Sequence, residues 1–331
     1  MLEKRANRFD RERGVALITA IIVVSMASIA AVAMTHDLQL SIRRTGNIIT
    51  ADQGYLYTLG SEAWSRGMLI RDLNNSKEKN RYDSLDEDWA QELPATPVEG
   101  GQVQAITTDL QARFNLNNLY LEPKSNEEAK LKFNTQLALF QRLLARLELP
   151  ESIAQATADW LDDDINVLYP DGAEDLEYLN LELPYRTANG LMATPTELRL
   201  LKGVDKKIYE KLSPYITTLP ERTTINVNTA DKLLIQALSD TLDEASAEQL
   251  VNEREENPFK ETKSFINRLK ALLDENKVKS DQITPLISVD SHYYQMETVV
   301  QMEKNSSQRL VSLLYKGEKD VVVISRTLGV Y

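Results

Sequence analysis

The longest uninterrupted apolar stretch of the chain lies near its beginning. Residues Val15 to Met34 read VALITAIIVVSMASIAAVAM, twenty residues without a charge. In a helix they span about 30 Å, at roughly 1.5 Å per residue, which matches the hydrocarbon core of a bilayer. The pattern therefore predicts one membrane-spanning helix. A cleaved secretory signal is the alternative, but its apolar stretch covers only about 7 to 15 residues and ends at a small-residue cleavage site.

The helical pattern continues beyond the apolar stretch, and the first proline is Pro94. A single helix from Val15 to about Leu73, half in lipid and half packed on a soluble domain, is predicted because one apolar stripe keeps helical spacing. The stripe consists of Ile49, Leu56, Leu59, Ala63, Ile70 and Leu73. The alternative is a membrane helix followed by a separate helix, with a break near Gly46 or Gly54.

Alternating apolar and polar residues predict strands towards both ends of the soluble part. After a polar connector at residues 74–101, strands are predicted at 102–107 and 110–119. Three more are predicted at 292–303, 309–315 and 321–328. Residues 74–121 and 291–331 thus supply one small antiparallel sheet, and with the leading helix they form an α+β domain.

The middle of the chain, residues 122–290, carries helical patterns. Residues 126–147 hold leucines and a phenylalanine at helical spacing, and Pro150 with Glu151 opens the next helix, SIAQATADWL. Short amphipathic segments follow up to residue 273. The sequence therefore predicts a large all-α domain inserted between the strands of the sheet.

Charge and composition restrict the partners, the metal sites and the membrane orientation that the chain can have. Among 331 residues, 38 Lys and Arg stand against 50 Asp and Glu, and the net charge of −12 repels phosphate backbones. With no cysteine, thiolate metal sites and cysteine nucleophiles are excluded, and His36 and His292 are too few for a His-rich metal centre. Five basic residues precede the apolar helix and predict a cytoplasmic N-terminus, with the bulk of the chain across the membrane. They are Lys4, Arg5, Arg8, Arg11 and Arg13.

The richest chemical signal is an acidic stretch from Asp159 to Arg186. It holds nine carboxylates before its first basic residue: Asp159, Asp162, Asp163, Asp164, Asp171, Glu174, Asp175, Glu177 and Glu182. Such acids repel each other unless they are solvated or neutralised by a hard cation, and calcium accepts six to eight oxygen ligands. The stretch is not an EF-hand, because Val167 and Ala173 stand where that loop requires Gly and Glu.

Four carboxylates are the predicted calcium ligands. Asp162 and Asp164 alternate outward in an extended loop, and Glu174 and Asp175 follow Gly172, which lets the chain turn back towards them. Asp159 is either a fifth ligand or a cap of its helix. The remaining acids, Asp163, Asp171, Glu177 and Glu182, are interpreted as solvated surface residues.

The N-terminus resembles a type IV pilin or pseudopilin precursor. The resemblance lies in a short basic leader, residues 1–14, that ends in Gly14 and is followed at once by an apolar helix with an amphipathic continuation. It implies that a prepilin peptidase cuts after Gly14 and methylates the new amine on Val15. Two departures are Val15 in place of the usual Phe and Thr19 in place of the usual Glu. A subunit without that Glu is expected at a fibre tip, where no neighbour ahead of it requires neutralisation.

The acidic stretch resembles the large K-type minor pseudopilin of type II secretion systems. Three motifs carry the resemblance: DWxDxD (Asp159, Trp160, Asp162, Asp164), GAEDxxY (Gly172, Ala173, Glu174, Asp175, Tyr178) and PYRxAN (Pro184, Tyr185, Arg186, Ala188, Asn189). ELRLLKGV and INVNTA follow them, and the family's double proline is Leu183-Pro184 here. The resemblance implies a pseudopilin fold with a helical insertion, calcium bound in the insertion, and no enzymatic activity.

The same resemblance implies partners and a location. The chain is expected to form the tip complex of a periplasmic pseudopilus with I-, J- and H-type minor pseudopilins, and to start its assembly for export of folded proteins. The major pseudopilin, the prepilin peptidase and the inner-membrane assembly platform are the other implied partners. A single-pass inner-membrane protein with a cytoplasmic N-terminus and a periplasmic bulk is expected.

Two other functions are open from the sequence. Residues 198–204 and 225–259 resemble helix-hairpin-helix modules, which would suit a membrane-anchored DNA-binding or uptake protein. The second hairpin, SDTLDEA at 239–245, has no glycine and three acids, so no nucleic acid is expected as a partner. A metal-dependent hydrolase is the other function, and it lacks a nucleophile or a phosphate loop beside the acidic stretch.

Overall fold

The computed structural model describes residues 3–75, 81–122, 124–273, 278–302 and 306–330. Parts of four predictions fall outside these residues: residues 1–2 of the leader, residues 76–80 of the connector, residues 123 and 274–277 of the inserted domain, and residues 303–305 and 331 of the predicted C-terminal part of the sheet domain. The α-helices are α1 Glu3–Asn75, α2 Glu127–Arg146, α3 Ser152–Leu161, α4 Asp175–Leu179, α5 Lys206–Leu212, α6 Lys232–Ala237, α7 Glu244–Glu256, α8 Thr262–Leu273 and α9 Ser280–Ile283.

Strands and short 3-10 helices complete the fold. The strands are β1 Leu93–Val98, β2 Gly101–Asp109, β3 Phe114–Asn115, β4 Ile216–Thr217, β5 Ile225–Asn226, β6 Ile287–Ser288, β7 Tyr293–Met302, β8 Ser306–Lys316 and β9 Val321–Val330. The 3-10 helices are Asp88–Ala90, Leu110–Ala112, Leu116–Leu119, Pro195–Leu200, Ser213–Tyr215 and Thr284–Leu286.

Helix α1 is continuous, so the prediction of one long helix is confirmed and the break near Gly46 or Gly54 is not found. From Gly14 onward it is long and apolar enough to cross a bilayer, and no part of its most apolar window is buried by the rest of the chain. Beyond residue 50 one face turns inward, with Thr58, Glu62 and Leu69 buried against the sheet. The prediction that the apolar stripe packs on the soluble domain is wrong at Ile49, Leu56 and Ala63, which are exposed. At Gly54 an added Cβ would lie 3.3 Å from the side chain of Gln308, so glycine permits this close approach.

A five-stranded antiparallel sheet supports that face of α1. Its order is β1-β2-β7-β8-β9, so strands from the two ends of the soluble part meet at the β2-β7 pair, where Asp109 lies opposite Tyr294. Leu69, Trp89, Tyr294, Leu310 and Leu314 form the core between helix and sheet. The strand predictions for β2, β7, β8 and β9 are confirmed. One face of the alternating pattern is buried in β2 and β7, whereas β9 is the exposed edge strand and buries only Val321 fully.

Two predictions between residues 74 and 119 are wrong. The connector contains strand β1 and a 3-10 helix that buries Trp89. Residues 110–119 are not one strand but two 3-10 turns around the two-residue β3. Their polar residues are buried as well as their leucines, because the side chains of Asn115, Asn117 and Asn118 donate hydrogen bonds to backbone carbonyls of residues 192 and 219–223.

The helical domain lies between β2 and β7 in sequence and builds a separate, larger core. That core extends from Phe114 to Val289 and also includes the short parallel pairs β3-β4 and β5-β6. The predicted domain boundaries at residues 122 and 290 stay predictions. The domain joins the sheet where β2 ends and β7 begins, and this is also the end of the sheet at which Lys316 meets Asp72 near the C-terminus of α1. The helical domain is therefore attached at the end of the molecule far from the apolar segment.

A buried network of hydrogen bonds connects the helical domain to the sheet domain. Asp109 accepts hydrogen bonds from the hydroxyls of Thr229 and Ser291, both at 2.6 Å, and from the backbone amide of Gln111. Asn226 donates to the same carboxylate and to the carbonyl of Asp83. Burial raises the pKa of Asp109 to about 6. The network links both domains through groups that have no access to water.

Candidate metal centre

Three of the predicted carboxylates meet at the C-terminal end of α3. Asp159, Asp162 and Glu174 each place one oxygen within 4.8 Å of the others. Asp159 lies in the last turn of α3 and Asp162 is the residue directly after that helix, so this end of α3 supplies both carboxylates. Glu174 is the residue directly before α4 and supplies the third carboxylate. We call these three residues the carboxylate cluster.

The loop between Asp162 and Glu174 folds back because of two local features. The backbone amide of Leu168 donates to both oxygens of Asp159 at 3.1 Å, and the amide of Gly172 donates to the carbonyl of Leu168 at 2.9 Å. At Gly172 an added Cβ would lie 2.1 Å from a carboxylate oxygen of Asp159 and 2.7 Å from the carbonyl of Leu168. Only glycine fits there, which agrees with the prediction that the chain turns back at Gly172.

Electrostatics disfavour this cluster without a cation. The C-terminus of a helix carries partial negative charge, so the carboxylates of Asp159 and Asp162 are placed unfavourably at this end of α3. Burial, together with repulsion from neighbouring acids, raises the pKa of Asp159 to about 6 and the pKa values of Asp162 and Glu174 to about 7. The same desolvation and repulsion would be relieved by a bound divalent cation.

The surroundings of Glu174 show most directly whether a metal ion fits this site. Its side chain is only 3% exposed, and neither carboxylate oxygen has a hydrogen-bond partner. A buried carboxylate without partners is costly, and hard cations such as calcium bind carboxylate oxygens. The donor set therefore fits calcium, with Asp159, Asp162 and Glu174 as the residues that converge.

Asp164 and Asp175 lie next to the cluster with other partners. Asp164 accepts hydrogen bonds from the backbone and side-chain nitrogens of Asn166, both at 2.7 Å, and its charge raises the pKa of Asp162. Asp175 accepts from the amide and hydroxyl of Thr187, and its second oxygen lies 3.8 Å from Arg186. Asp159 lies in the last turn of α3 and so does not cap the start of that helix. Its spacing of three residues from Asp162 is the signal that would have ranked it higher.

Aromatic residues form the wall behind the cluster. Trp160 packs edge-on against Tyr178, with ring centroids 5.4 Å apart, and Tyr178 stacks on Tyr185. The hydroxyl of Tyr185 donates to the carbonyl of Leu200 at 2.6 Å. The motif tryptophan and tyrosines thus hold the acidic loop on the helical core, a role that sequence reasoning did not assign to them.

A second group of acids, Asp72, Asp83 and Glu87, has a different character. The ammonium of Lys316, which is 1% exposed, contacts the carboxylate of Asp83 and lies 3.2 Å from Asp72. Glu87 accepts hydrogen bonds from the indole of Trp89 and the amide of Ser84. A buried cation of the chain itself therefore occupies this group.

The processing positions lie on the exposed part of α1. Gly14 has no atom outside its own helix backbone within 4 Å of an added Cβ, and Val15 is exposed, so no other described part of the chain covers these positions. The hydroxyl of Thr19 donates to the carbonyl of Ala16 at 2.9 Å. Thr19 therefore satisfies its polar group within its own helix, where a Glu would need a partner.

In the described hairpins that resemble helix-hairpin-helix modules, the N-termini of α5 and α7 are not free to bind phosphate. The carboxylate of Asp243 caps α7 by accepting from the amide of Ser246 at 2.8 Å, and Asp205 caps α5 in the same way through Ile208. These carboxylates lie where a phosphate would approach the helix N-terminus. The hairpins thus pack helices against the core, with Leu198, Leu234 and Leu250 buried.

The fold and the apolar N-terminal helix define the class of protein: a long N-terminal helix on a small antiparallel sheet, with a helical domain between the strands, is the architecture of a K-type pseudopilin. Family models described as type II secretion system, protein K, match residues 112–221 and 225–289. Type II secretion system protein K of Pseudomonas aeruginosa is 34% identical, over 96% of this chain and 93% of that protein. The Klebsiella pneumoniae protein K is 31% identical, over 97% and 98%.

A solved structure shows the same fold. A chain from the crystal structure of the GspK-GspI-GspJ complex of the enterotoxigenic Escherichia coli type 2 secretion system matches with a TM-score of 0.73 and 27% identity, over 86% of this chain and 99% of that one. The chain belongs to the type II secretion system protein K family and is a minor pseudopilin with one N-terminal apolar helix.

Proposed function

We propose that the chain is a non-enzymatic subunit of the pseudopilus tip, which assembles with I- and J-type minor pseudopilins, and with the H-type, to start a fibre for protein export. The observation that carries this proposal is the exposure of α1. Large apolar side chains of α1 from Val15 to Ile49 are exposed. Only about 20 of these residues are needed to cross a bilayer. The remaining apolar surface needs other subunits to cover it.

The segment of α1 between the membrane and the sheet offers a specific contact stripe. Leu38, Ile42, Ile49 and Leu56 are exposed and follow spacings of four, seven and seven residues. Such spacing places them on one face, as in helices that pack side by side. A neighbouring pseudopilin helix would bury this stripe. The complex of the Escherichia coli relative with its I and J proteins supports this choice of partners.

Thr19 suits a position at the tip. In the type IV pilin family, which this N-terminus resembles, the corresponding Glu is thought to neutralise the amine of an adjacent subunit. A chain with Thr at that position does not require such a neighbour, and its hydroxyl is already bonded within α1. We infer cleavage after Gly14, methylation of Val15, and insertion by the assembly platform with the basic end in the cytoplasm and the bulk in the periplasm.

Calcium would stabilise the helical domain in this function. Asp159, Asp162 and Glu174 would hold the ion, and Asp164 lies near enough to contribute charge. Asp175, which bonds Thr187, would support the loop from outside. The ion would supply positive charge at the end of α3, so that the acidic loop keeps one conformation at the membrane-distal end of the molecule.

Assembly can be tested with the full-length chain. The chain is co-expressed with its I- and J-type partners and the prepilin peptidase, and the membranes are extracted with detergent. The chain and the two pseudopilins should then purify as one complex. Replacing Ile42 and Ile49 with Ser should reduce the recovered complex about tenfold or more, because each buried apolar side chain contributes about 1.5–3 kcal/mol. Leu131→Ser, an equally exposed position on α2, serves as the matched control. Unchanged recovery with the α1 variant would contradict the proposed contact stripe.

The alternative functions find less support. The capped hairpins and the acidic charge oppose DNA binding. For a hydrolase, the acidic stretch from Asp159 to Arg186 contains no Ser, His or Lys that could act as a nucleophile. The structural role accounts for the apolar helix, the cluster and the fold together.

A further inference from the structure

The loop around the carboxylate cluster exposes an unusual amount of apolar surface. Between residues 165 and 183 seven large apolar side chains are 45–88% exposed. They are Ile165, Val167, Tyr169, Leu176, Leu179, Leu181 and Leu183. Outside α1, the described part of the chain exposes fifteen such side chains, so nearly half of them lie within these nineteen residues. Concentrated exposed apolar residues mark interaction surfaces in soluble domains.

Metal binding does not explain why these apolar side chains are exposed. The cluster uses carboxylates that point inward, whereas Leu176, the residue after Asp175, is 76% exposed and Leu183 is 81% exposed. The loop beneath them is held by the buried ring of Tyr178 and by the bond from Tyr185 to Leu200. A surface on such a fixed support loses little conformational entropy when it binds.

The charges around these side chains restrict the partner. Five exposed acids alternate with them: Asp163, Asp164, Asp171, Glu177 and Glu182. Nearby cations are already engaged, since Lys202 pairs with Glu177 at 3.0 Å and Arg186 lies beside Asp175. A second copy of this surface would meet its own negative charge, and so would the phosphates of a lipid surface. The charge pattern therefore favours a different protein with basic residues.

We propose that residues 165–183, the carboxylate-loop surface, dock a second, different protein whose contact face has apolar side chains ringed by Lys and Arg. The surface belongs to the helical domain, which is attached at the end of the molecule far from the membrane helix. This places it where the tip of a fibre would meet another protein. The proposal rests on the proposed pseudopilin function and adds the chemistry of a partner beyond the I- and J-type contacts along α1.

The test uses the full-length chain in cells that secrete through this system. A photo-crosslinking amino acid is placed at Tyr169 or Leu183, and at Leu131 as the matched exposed control. Crosslinks from the two loop positions should join a protein that is neither this chain nor any other pseudopilin. Mass spectrometry should map them to apolar residues flanked by Lys or Arg. Crosslinks only to a second copy, to another pseudopilin or to lipid would overturn the proposal, and so would no crosslink at all.

Two sets of substitutions add a quantitative readout. With the crosslinker at Tyr169, Leu176→Ser with Leu183→Ser should reduce the yield about tenfold or more, as loss of two buried leucines implies. Asp171→Lys with Glu182→Lys should do the same through charge, while Leu131→Ser should leave it unchanged. Equal yields in all variants would overturn the proposal. Processing at Gly14 and assembly along α1 are measured separately, so their failure is distinguishable from failure of this surface.

Discussion

Calcium at one hundred times its dissociation constant is expected to stabilise the protein by about 2.7 kcal/mol, because a ligand that binds only the folded state shifts unfolding by mass action. The melting temperature of the full-length chain in detergent should therefore rise with calcium and fall with chelator. Glu174→Gln should remove most of the calcium-dependent shift, since Glu174 contributes buried oxygens that have no other partner. Glu177→Gln, an exposed acid paired with Lys202, is the matched control and should keep the shift.

The pH dependence gives a second readout of the same cluster. In the folded protein the pKa values of Asp162 and Glu174 are raised to about 7, above their ordinary values of 3.8 and 4.5. The calcium-free folded state thus binds protons more tightly than the unfolded state, and this contribution to stability is lost as pH rises through about 7. In chelator, Glu174→Gln should be more stable than wild type at pH 8, as the linkage requires, and lose that advantage in acid. A calcium shift that persists in Glu174→Gln would refute the assignment.

Lys316→Ala is expected to destabilise the fold by about 3–5 kcal/mol, because it leaves buried carboxylates without their counter-charge. The ammonium of Lys316 contacts Asp83, which is fully buried, and lies 3.2 Å from Asp72. Burial raises the pKa of Asp83 despite the nearby ammonium. Denaturant unfolding of the full-length chain measures the loss.

Two controls make the Lys316 prediction specific. Lys319→Ala removes an exposed lysine from the next turn and should change stability little. Combining Asp83→Leu with Lys316→Met should recover part of the loss, because both members of the buried pair are then apolar. A Lys316→Ala variant as stable as Lys319→Ala would show that the ion pair does not hold the end of α1 to the sheet.

Patterns with one dominant cause were predictable from the sequence. The apolar stretch predicted α1 as one helix, although Ile49, Leu56 and Ala63 of its predicted stripe are exposed. The buried face of α1 is partly polar, with Thr58 and Glu62 beside Leu69, and an apolar pattern cannot reveal such a face. Alternating residues predicted β7 and β8 because each buries one face, and they also predicted β9, of which only the first residue, Val321, is fully buried. Residues 110–119 alternate as well, yet form turns, since Asn115 and Asn117 bond to distant backbone groups that no local pattern reveals. Strand β1 was missed because Pro94 and Pro97 argue against a strand interior. They are tolerated on an edge strand, which β1 is.

The candidate site was predictable in composition and less so in detail. Acid density located the loop, and Gly172 indicated the return of the chain towards Asp162. The distinct surroundings of Glu174 and Asp175, adjacent in sequence, depend on the start of α4: Glu174 lies in the cluster, while Asp175 bonds Thr187 twelve residues later. Such a long-range partner is set by the tertiary fold. The exposure of the leucines beside these acids was not predictable, because exposure cannot be read from residue type alone.

Processing of this chain as a pseudopilin is tested most directly by the N-terminal mass of the membrane-extracted protein, measured with and without a co-expressed prepilin peptidase. We expect a protein that begins at methylated Val15 only when the peptidase is present. An intact Met1 form in its presence, or a cut after Met34, would show that the chain is not processed as a pseudopilin.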